Sequence, residues 1–480
     1  MTWHTALAIL FTVLDIACIA AVIFVERKNP ASTIAWTLVL LFLPFVGFAA
    51  YLLFGSGFHV NKRKRYALKQ VSDNLYKKLV DGHIDNHSVC AADGMPCSRL
   101  IAYLDQAGGH PFTRDNEAVA FTDGDAFFES MKEDLRRARR HIHMLYYIFR
   151  NDALGNEIVA ILTEKAEQGV EVRVIYDSVG SIFSIGGMFR KLIAAGGQVE
   201  AFSPIVMNLS SHLRLNYRNH RKITVVDGLV GYVGGMNIGD EYRGKHKRLT
   251  PWRDTQLRLM GSSVLLLQER FLMDWVSVRD TQGHSAQFEH FFPPPLQRGT
   301  LGVQIASSGP DTAAMSIKNG LLEMLYAARR NVYIQTPYFT PDESFIEALK
   351  SATVAGVDVR LMLPGICDYL PAELATYGYA MQLLESGVRV FSYNGFLHAK
   401  TMVIDGAAAS VGTTNIGSRS FSVNFEINAF VYDQEFAASC ERIFLDDATR
   451  CRELDMDWFR QRTPLTHMGY RLMRLFAPLM

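Results

Sequence analysis

The alternation of apolar and polar positions divides the chain into an apolar head and a long body in which helical and strand-like stretches take turns. Thr5 to Val25 is an apolar run broken by Asp15 and small hydroxyls, and Ala31 to Phe54 is a second, bearing Pro44 and Gly47. Each is long enough to cross a hydrocarbon core of about 30 Å as a helix. A cleaved signal peptide would carry positive charge ahead of its apolar stretch; here only the amino terminus precedes the first run, and the second follows after a short connection. The pattern predicts a transmembrane hairpin over residues 1–57. Asp15 would cost about 2.5–3.5 kcal/mol at the centre of a membrane, and a hydroxyl of the second run is its natural partner.

Beyond the head the pattern repeats itself. Ala138-Arg139-Arg140-His141-Ile142 leads into Tyr146-Tyr147-Ile148-Phe149, and Ala328-Arg329-Arg330-Asn331-Val332 leads into Thr336-Pro337-Tyr338-Phe339. Gly169-Val170-Glu171-Val172-Arg173-Val174 is answered by Gly356-Val357-Asp358-Val359-Arg360-Leu361. In both halves a stretch with helical period precedes a β-branched run, which predicts an α/β layered architecture. Pro293-Pro294-Pro295 cannot lie inside a helix or a central strand, so the halves should join near 290–300. The expected organisation is a hairpin (1–57), a connector (58–110), a first domain (111–295), a second domain (296–455) and a C-terminal segment (456–480). In that last segment Leu465, Met468, Leu472, Leu475, Phe476 and Leu479 share one helical face, as expected of a core-packing helix or of one lying in a membrane interface.

Charge and cysteine content narrow the function. Lys+Arg 49 against Asp+Glu 48 gives no global field that would favour nucleic acid. The short connection between the apolar runs holds Arg27 and Lys28, whereas Lys62, Arg63, Lys64, Arg65 and Lys69 follow the second. That heavier cluster predicts that the body faces the cytoplasm, where it would attract anionic headgroups. Six cysteines without a CxxC or a His/Cys ligand spacing imply free thiols rather than disulfides or a zinc site.

One spacing occurs twice. His220, Lys222 and Asp227 are followed by Gly234, Gly235 and Asn237; His398, Lys400 and Asp405 are followed by Gly412 and Asn415. The runs Ile223–Val226 and Thr401–Ile404 read as strands, so each His and Lys, one residue apart, should share a sheet face. Two histidines contributed by two similar halves can divide the labour of a double displacement, one attacking an electrophile and the other protonating the leaving group before activating the acceptor. Two lysines and two asparagines add charge and donors suited to a phosphodiester. Each imidazole needs a carboxylate to fix its tautomer; Asp254 and Glu426, each some thirty residues after its histidine, are the candidates. Tyr147, Tyr338 and Phe339 should pack or line the cleft. No Walker-type loop and no cluster of metal ligands is visible, so neither nucleotide nor metal is expected.

The doubled His-x-Lys-x4-Asp spacing with Gly-Gly-Met-Asn and Gly-Thr-Thr-Asn resembles the phospholipase D superfamily. With the membrane hairpin and Asn216-Tyr217-Arg218-Asn219-His220-Arg221-Lys222 it is most similar to bacterial cardiolipin synthases. The resemblance implies two pseudo-symmetric phospholipase D-like domains, each a mixed sheet flanked by helices, with one active site at their interface, in an inner-membrane protein. It implies transfer of a phosphatidyl group from one phosphatidylglycerol to another, with His220 as nucleophile. The catalytic set would be His220, Lys222, Asp227, His398, Lys400 and Asp405, with Asn237 and Asn415 binding phosphate, no cofactor, and membrane lipids as partners. Hydrolysis by the same residues, and cleavage of nucleic acid, are the alternative activities.

Overall fold

The computed structural model describes residues 3–25, 30–51, 97–182, 187–202, 217–279, 285–296, 298–312 and 314–477. The basic cluster at Lys62–Lys69, the pair Arg27 and Lys28, Cys90 and the side chain of Asp15 lie outside the described residues. The other five cysteines are free thiols.

In the head, the helix Trp3–Ala20 runs on into a π-helical turn, Ala21–Val25. The second apolar run is divided into Pro30–Phe42 and Pro44–Ala50, a break that Pro44 explains because it lacks the N–H that would continue the ladder. Among the described residues no single helix is long and apolar enough to cross a membrane. The hairpin expected over residues 1–57 is thus not shown as a membrane span by the described residues.

Among the described residues the body is built on nineteen strands. The first half contributes β1 (Thr113–Phe121), β2 (His141–Tyr146), β3 (Glu171–Asp177), β4 (Gln198–Phe202), β5 (Ile223–Val226), β6 (Val230–Gly234), β7 (Trp252–Arg253) and β8 (Gln256–Met260). The second contributes β9 (Leu301–Ser308), β10 (Asn331–Gln335), β11 (Phe339–Thr340), β12 (Asp358–Pro364), β13 (Arg389–Tyr393), β14 (Phe396–Leu397), β15 (Thr401–Ile404), β16 (Ala408–Gly412), β17 (Ile416–Gly417), β18 (Glu426–Tyr432) and β19 (Cys451–Leu454). One half is ordered β4-β3-β2-β5-β6-β8-β1 and the other β13-β12-β10-β15-β16-β18-β9, with β19 added at the outer edge. The orders are identical under a pseudo-twofold axis at β1 and β9, which pair antiparallel with Thr113 opposite Val303 and Asn116 opposite Leu301.

The halves thus share one sheet, and they share a core. A single buried cluster runs from Val264, Phe271 and Trp275 through Val303 and Ile427 to Phe391, Phe436 and Phe444, so neither half buries this face alone. The opposite face is covered separately in each half, by Phe127, Phe128 and Ile158 in the first and by Leu321, Phe345 and Leu349 in the second. Two segments outside the expected domain limits join the second half. The helix Ser98–Gly108 packs Leu100, Ile101 and Leu104 into its core, and the helix Pro464–Phe476 adds Tyr470.

Candidate active site

Both repeated spacings fall where the chain enters the central strand of its half. The strands occupy Ile223–Val226 and Thr401–Ile404 as the β-branched runs predict. His220–Lys222 and His398–Lys400 lie just ahead of them, in extended chain held by the opposite half. Asn219 bridges Phe425, and the His220 N–H donates to the Phe425 carbonyl at 2.9 Å. In the mirror arrangement β14 pairs with β7, and the His398 N–H donates to the Arg253 carbonyl at 2.6 Å. Lys222 and Lys400 each turn back so that Nζ donates to the carbonyl of their own histidine, at 2.7 Å for Lys222.

This crossing fixes the carboxylates. His220 Nδ1 meets Glu426 Oε2 at 2.9 Å, and His398 Nδ1 meets Asp254 Oδ2 at 2.6 Å. Each histidine is therefore oriented by an acid from the other half. A hydrogen on Nδ1, donated to a carboxylate, leaves the lone pair on Nε2. Glu426 and Asp254 are fully buried, while both imidazoles keep about a tenth of their side-chain surface exposed.

Electrostatics tie the two motifs into one site. Burial is the main force that lowers His220 to about 4, partly offset by Glu426, and the charges of Lys222 and Lys400 push the same way. Burial also lowers His398 to about 3, with Lys400 and then Lys222 adding to the shift against Asp254. Lys222 is pulled well below the usual lysine range by burial and by Lys400, and Lys400 is lowered by burial to about 8. Two buried lysine amines beside two imidazoles make a site suited to an anion. The Tyr147 ring borders it, edge-on to His220 at 5.2 Å and 5.4 Å from Lys222 Nζ, and Trp252 stands 5.7 Å from His398. Phe339, by contrast, is core, and Tyr338 donates to Asp368 at 2.6 Å.

The aspartates of the repeated spacing sit elsewhere. Asp227 and Asp405 close the far ends of β5 and β15, five residues and about 16 Å from the lysines at 3.3 Å per residue. Both have positive φ, 56° and 53°. The Asp227 carboxylate accepts backbone N–H bonds from Arg139, Arg140 and His141, and Asp405 does the same for Arg329, Arg330 and Asn331. Their chemistry is used on the turn that opens β2 and β10, not on the cleft. The asparagines differ from one another. Asn237 is buried with Oδ1 taken by the Ile148 N–H and Nδ2 donating to Tyr242, so in this state both ends of its amide serve the fold. Asn415 is half-buried and its Oδ1 has no hydrogen-bond partner among the described residues.

Several residues escaped the sequence reading. Thr413 Oγ1 donates to Glu426 Oε2 at 2.5 Å and Asn424 Nδ2 to Oε1 at 3.3 Å. The position equivalent to Thr413 is Gly235, where an added Cβ would lie 2.0 Å from Asp254 Oδ1; the glycine is what lets the shorter carboxylate approach. The unequal Gly-Gly and Gly-Thr turns were the visible trace of this difference. Arg221 is fully buried, clasps Asp274 at 2.7 and 2.8 Å and donates through Nε to the Glu426 carbonyl. Nothing in the spacing marks Asp274, which comes from the helix Ser263–Arg279. Among the described residues no group of three or more His, Cys, Asp or Glu is placed to hold a metal ion.

A pseudo-dyad that brings two His-Lys pairs together, each histidine oriented by an acid from the opposite half, defines a phospholipase D-type fold and site. Residues 131–245 and 321–448 match the family described as cardiolipin synthase, PLD-like domain, and residues 13–56 match the phospholipase D-nuclease N-terminal family. A cardiolipin synthase of Staphylococcus aureus (strain N315) is 41% identical over 475 residues, spanning 98% of this chain and 95% of the relative. One from Listeria innocua is 39% identical over 489 residues, 99% of each chain. The crystal structure of a phosphatidylserine synthase from Haemophilus influenzae Rd KW20 superposes with a TM-score of 0.60 over 80% of this chain and 100% of its own, at 13% identity, a likeness of fold alone. The chain belongs to the phospholipase D-like cardiolipin synthase family of phosphatidyltransferases.

Proposed function

We propose that this enzyme transfers the phosphatidyl group of one phosphatidylglycerol to a glycerol hydroxyl of another, forming cardiolipin and releasing glycerol. The observation that carries the reading is the crossed pairing of His220 with Glu426 and of His398 with Asp254. His220, kept neutral by its burial, attacks phosphorus through Nε2, and the P–O bond to glycerol breaks as His398 gives that oxygen its proton. His398 then takes the proton of the incoming hydroxyl, whose oxygen displaces the phosphatidyl group from His220 and restores the free imidazole. A phosphodiester anion between Lys222 and Lys400 offsets their positive field, so substrate binding itself favours the protonated His398 that the first step needs. Glu426 stabilises the cationic phosphohistidine and Asp254 the imidazolium of His398. Exchange of one phosphodiester for another needs no nucleotide, and the lysines supply the charge that a metal would otherwise bring.

The matched N-terminal segment and the apolar head support anchoring to the bacterial inner membrane, and the basic residues from Lys62 to Lys69 favour the cytoplasmic side for the catalytic body. Confinement to one surface raises the effective concentration of both lipids. Purified full-length protein supplied with phosphatidylglycerol vesicles should yield cardiolipin and glycerol. Phosphatidate and glycerol without cardiolipin would assign hydrolysis instead.

A further inference from the structure

The helix Pro464–Phe476 has two apolar faces. Tyr470 and Ala477 are buried on one; its neighbour there is the helix Leu370–Leu384, with Gly469 against Leu374 and Tyr470 against Phe459. At 100° per residue, Leu465, Met468, Leu472, Leu475 and Phe476 fall within about 60° of the opposite direction. They are 71%, 58%, 46%, 73% and 42% exposed. A surface helix of a soluble body shows a polar face there.

Charge identifies what covers this face. From Arg460 to Met480 the chain has four arginines, Arg460, Arg462, Arg471 and Arg474, and no Asp or Glu. A second copy of the helix would oppose like charge to like. Arg474 turns inward to Gln382 and Tyr379, but an apolar stripe with Arg471 at its edge, on a segment without acids after Asp457, matches an anionic lipid surface. The surface also leads towards the cleft. Ile366, Tyr369 and Leu370, ahead of the neighbouring helix, are 38%, 56% and 64% exposed. They flank Asp368, which holds Tyr338 and whose charge acts on Lys400.

We propose that the helix 464–476 lies in the interface of a bilayer containing anionic phospholipid, with Leu472 and Leu475 among the acyl chains, and so presents the rim at 366–370 and the cleft behind it to the membrane. The inference rests on the lipid-substrate reading above, but its first test does not depend on turnover. The full chain carrying Leu475→Trp is placed in nanodiscs of acyl-brominated phosphatidylglycerol or acyl-brominated phosphatidylcholine, and the wild-type emission is subtracted. The reference is Val354→Trp, an 85% exposed position at the opposite end of β12 from Ile366. Emission from position 475 should be quenched at least twofold in the anionic discs, clearly less in the zwitterionic ones, and not at position 354. Quenching at 475 no greater than at 354, or equal in both lipids, overturns the proposal. Leu472→Glu with Leu475→Glu should lower turnover of vesicular phosphatidylglycerol about tenfold relative to monomeric short-chain phosphatidylglycerol; an equal fall for both also overturns it. If quenching occurs as expected and cardiolipin never forms, the substrate reading fails and the docking surface stands.

Discussion

Replacing Glu426 by Gln isolates the electrostatic part of the crossed pairing. The site tolerates the shape: the amide oxygen can accept from His220 Nδ1, and Thr413 can turn its hydroxyl to the Ile427 carbonyl, 3.2 Å away, and accept from the new NH2 group. What is lost is the negative charge facing an imidazole that becomes cationic when phosphorylated. A hydrogen bond to a charged group contributes about 1.5–3 kcal/mol and a neutral one about 0.5–1.5 kcal/mol. The difference of about 1–2 kcal/mol bears on the covalent step and corresponds to a roughly 5- to 30-fold slower reaction. Glu426→Ala, which also leaves Asn424 Nδ2 without its acceptor and Thr413 with the Ile427 carbonyl in place of the carboxylate, should lose at least about 100-fold. The assay is single-turnover release of glycerol from phosphatidylglycerol, which reads formation of the intermediate before acceptor chemistry intervenes. A Gln variant within twofold of wild type would refute the claim that Glu426 stabilises charge on His220.

Lys400, lowered to about 8, loses its charge as pH rises through that value, and His220, lowered to about 4, loses its lone pair as pH falls through that one. The profile of kcat/KM should therefore decline on both sides of a plateau, and Lys400→Arg should move the alkaline limb upward. Gly235→Ala drives a methyl into Asp254 and should lower Tm by a few degrees, given about 1–3 kcal/mol for overpacking, while reducing activity far more than stability. Asp227→Asn should show the reverse balance: unfolding easier by about 1–3 kcal/mol through weakened acceptance of three backbone N–H groups, with the folded fraction retaining far more turnover than His220→Ala. Turnover should survive chelators; activity lost in EDTA and restored by one divalent ion alone would contradict lysine in the place of metal.

The parts of this design that repeat at short range could be read from the chain. The His-Lys pairs, the strands after them and the helix-then-strand order follow from local period and β-branching. Glu426 and Asp254 could be proposed as orienting acids, each placed after the histidine of its own half, whereas the structure gives each to the other histidine, because the crossing is made by the Asn219–Phe425 and β14–β7 pairings between distant segments. The same distance hides the shared sheet: a run of prolines before β9 reads as a boundary, whereas β1 and β9 join the halves edge to edge. Asp227 and Asp405 carry a functional-looking spacing because the strand length between lysine and turn is fixed, and their positive φ and backbone acceptors are visible only in three dimensions.

The central claim, a two-step transfer through a histidine oriented from the opposite half, is tested most directly by trapping. The full-length enzyme is mixed with phosphatidylglycerol for milliseconds, quenched in base to preserve phosphohistidine, and mapped by mass spectrometry. A phosphatidyl adduct on His220 that forms and decays at the turnover rate is the predicted result, and it should persist longer in Asp254→Asn. Steady turnover with no adduct on either His220 or His398 would contradict the account.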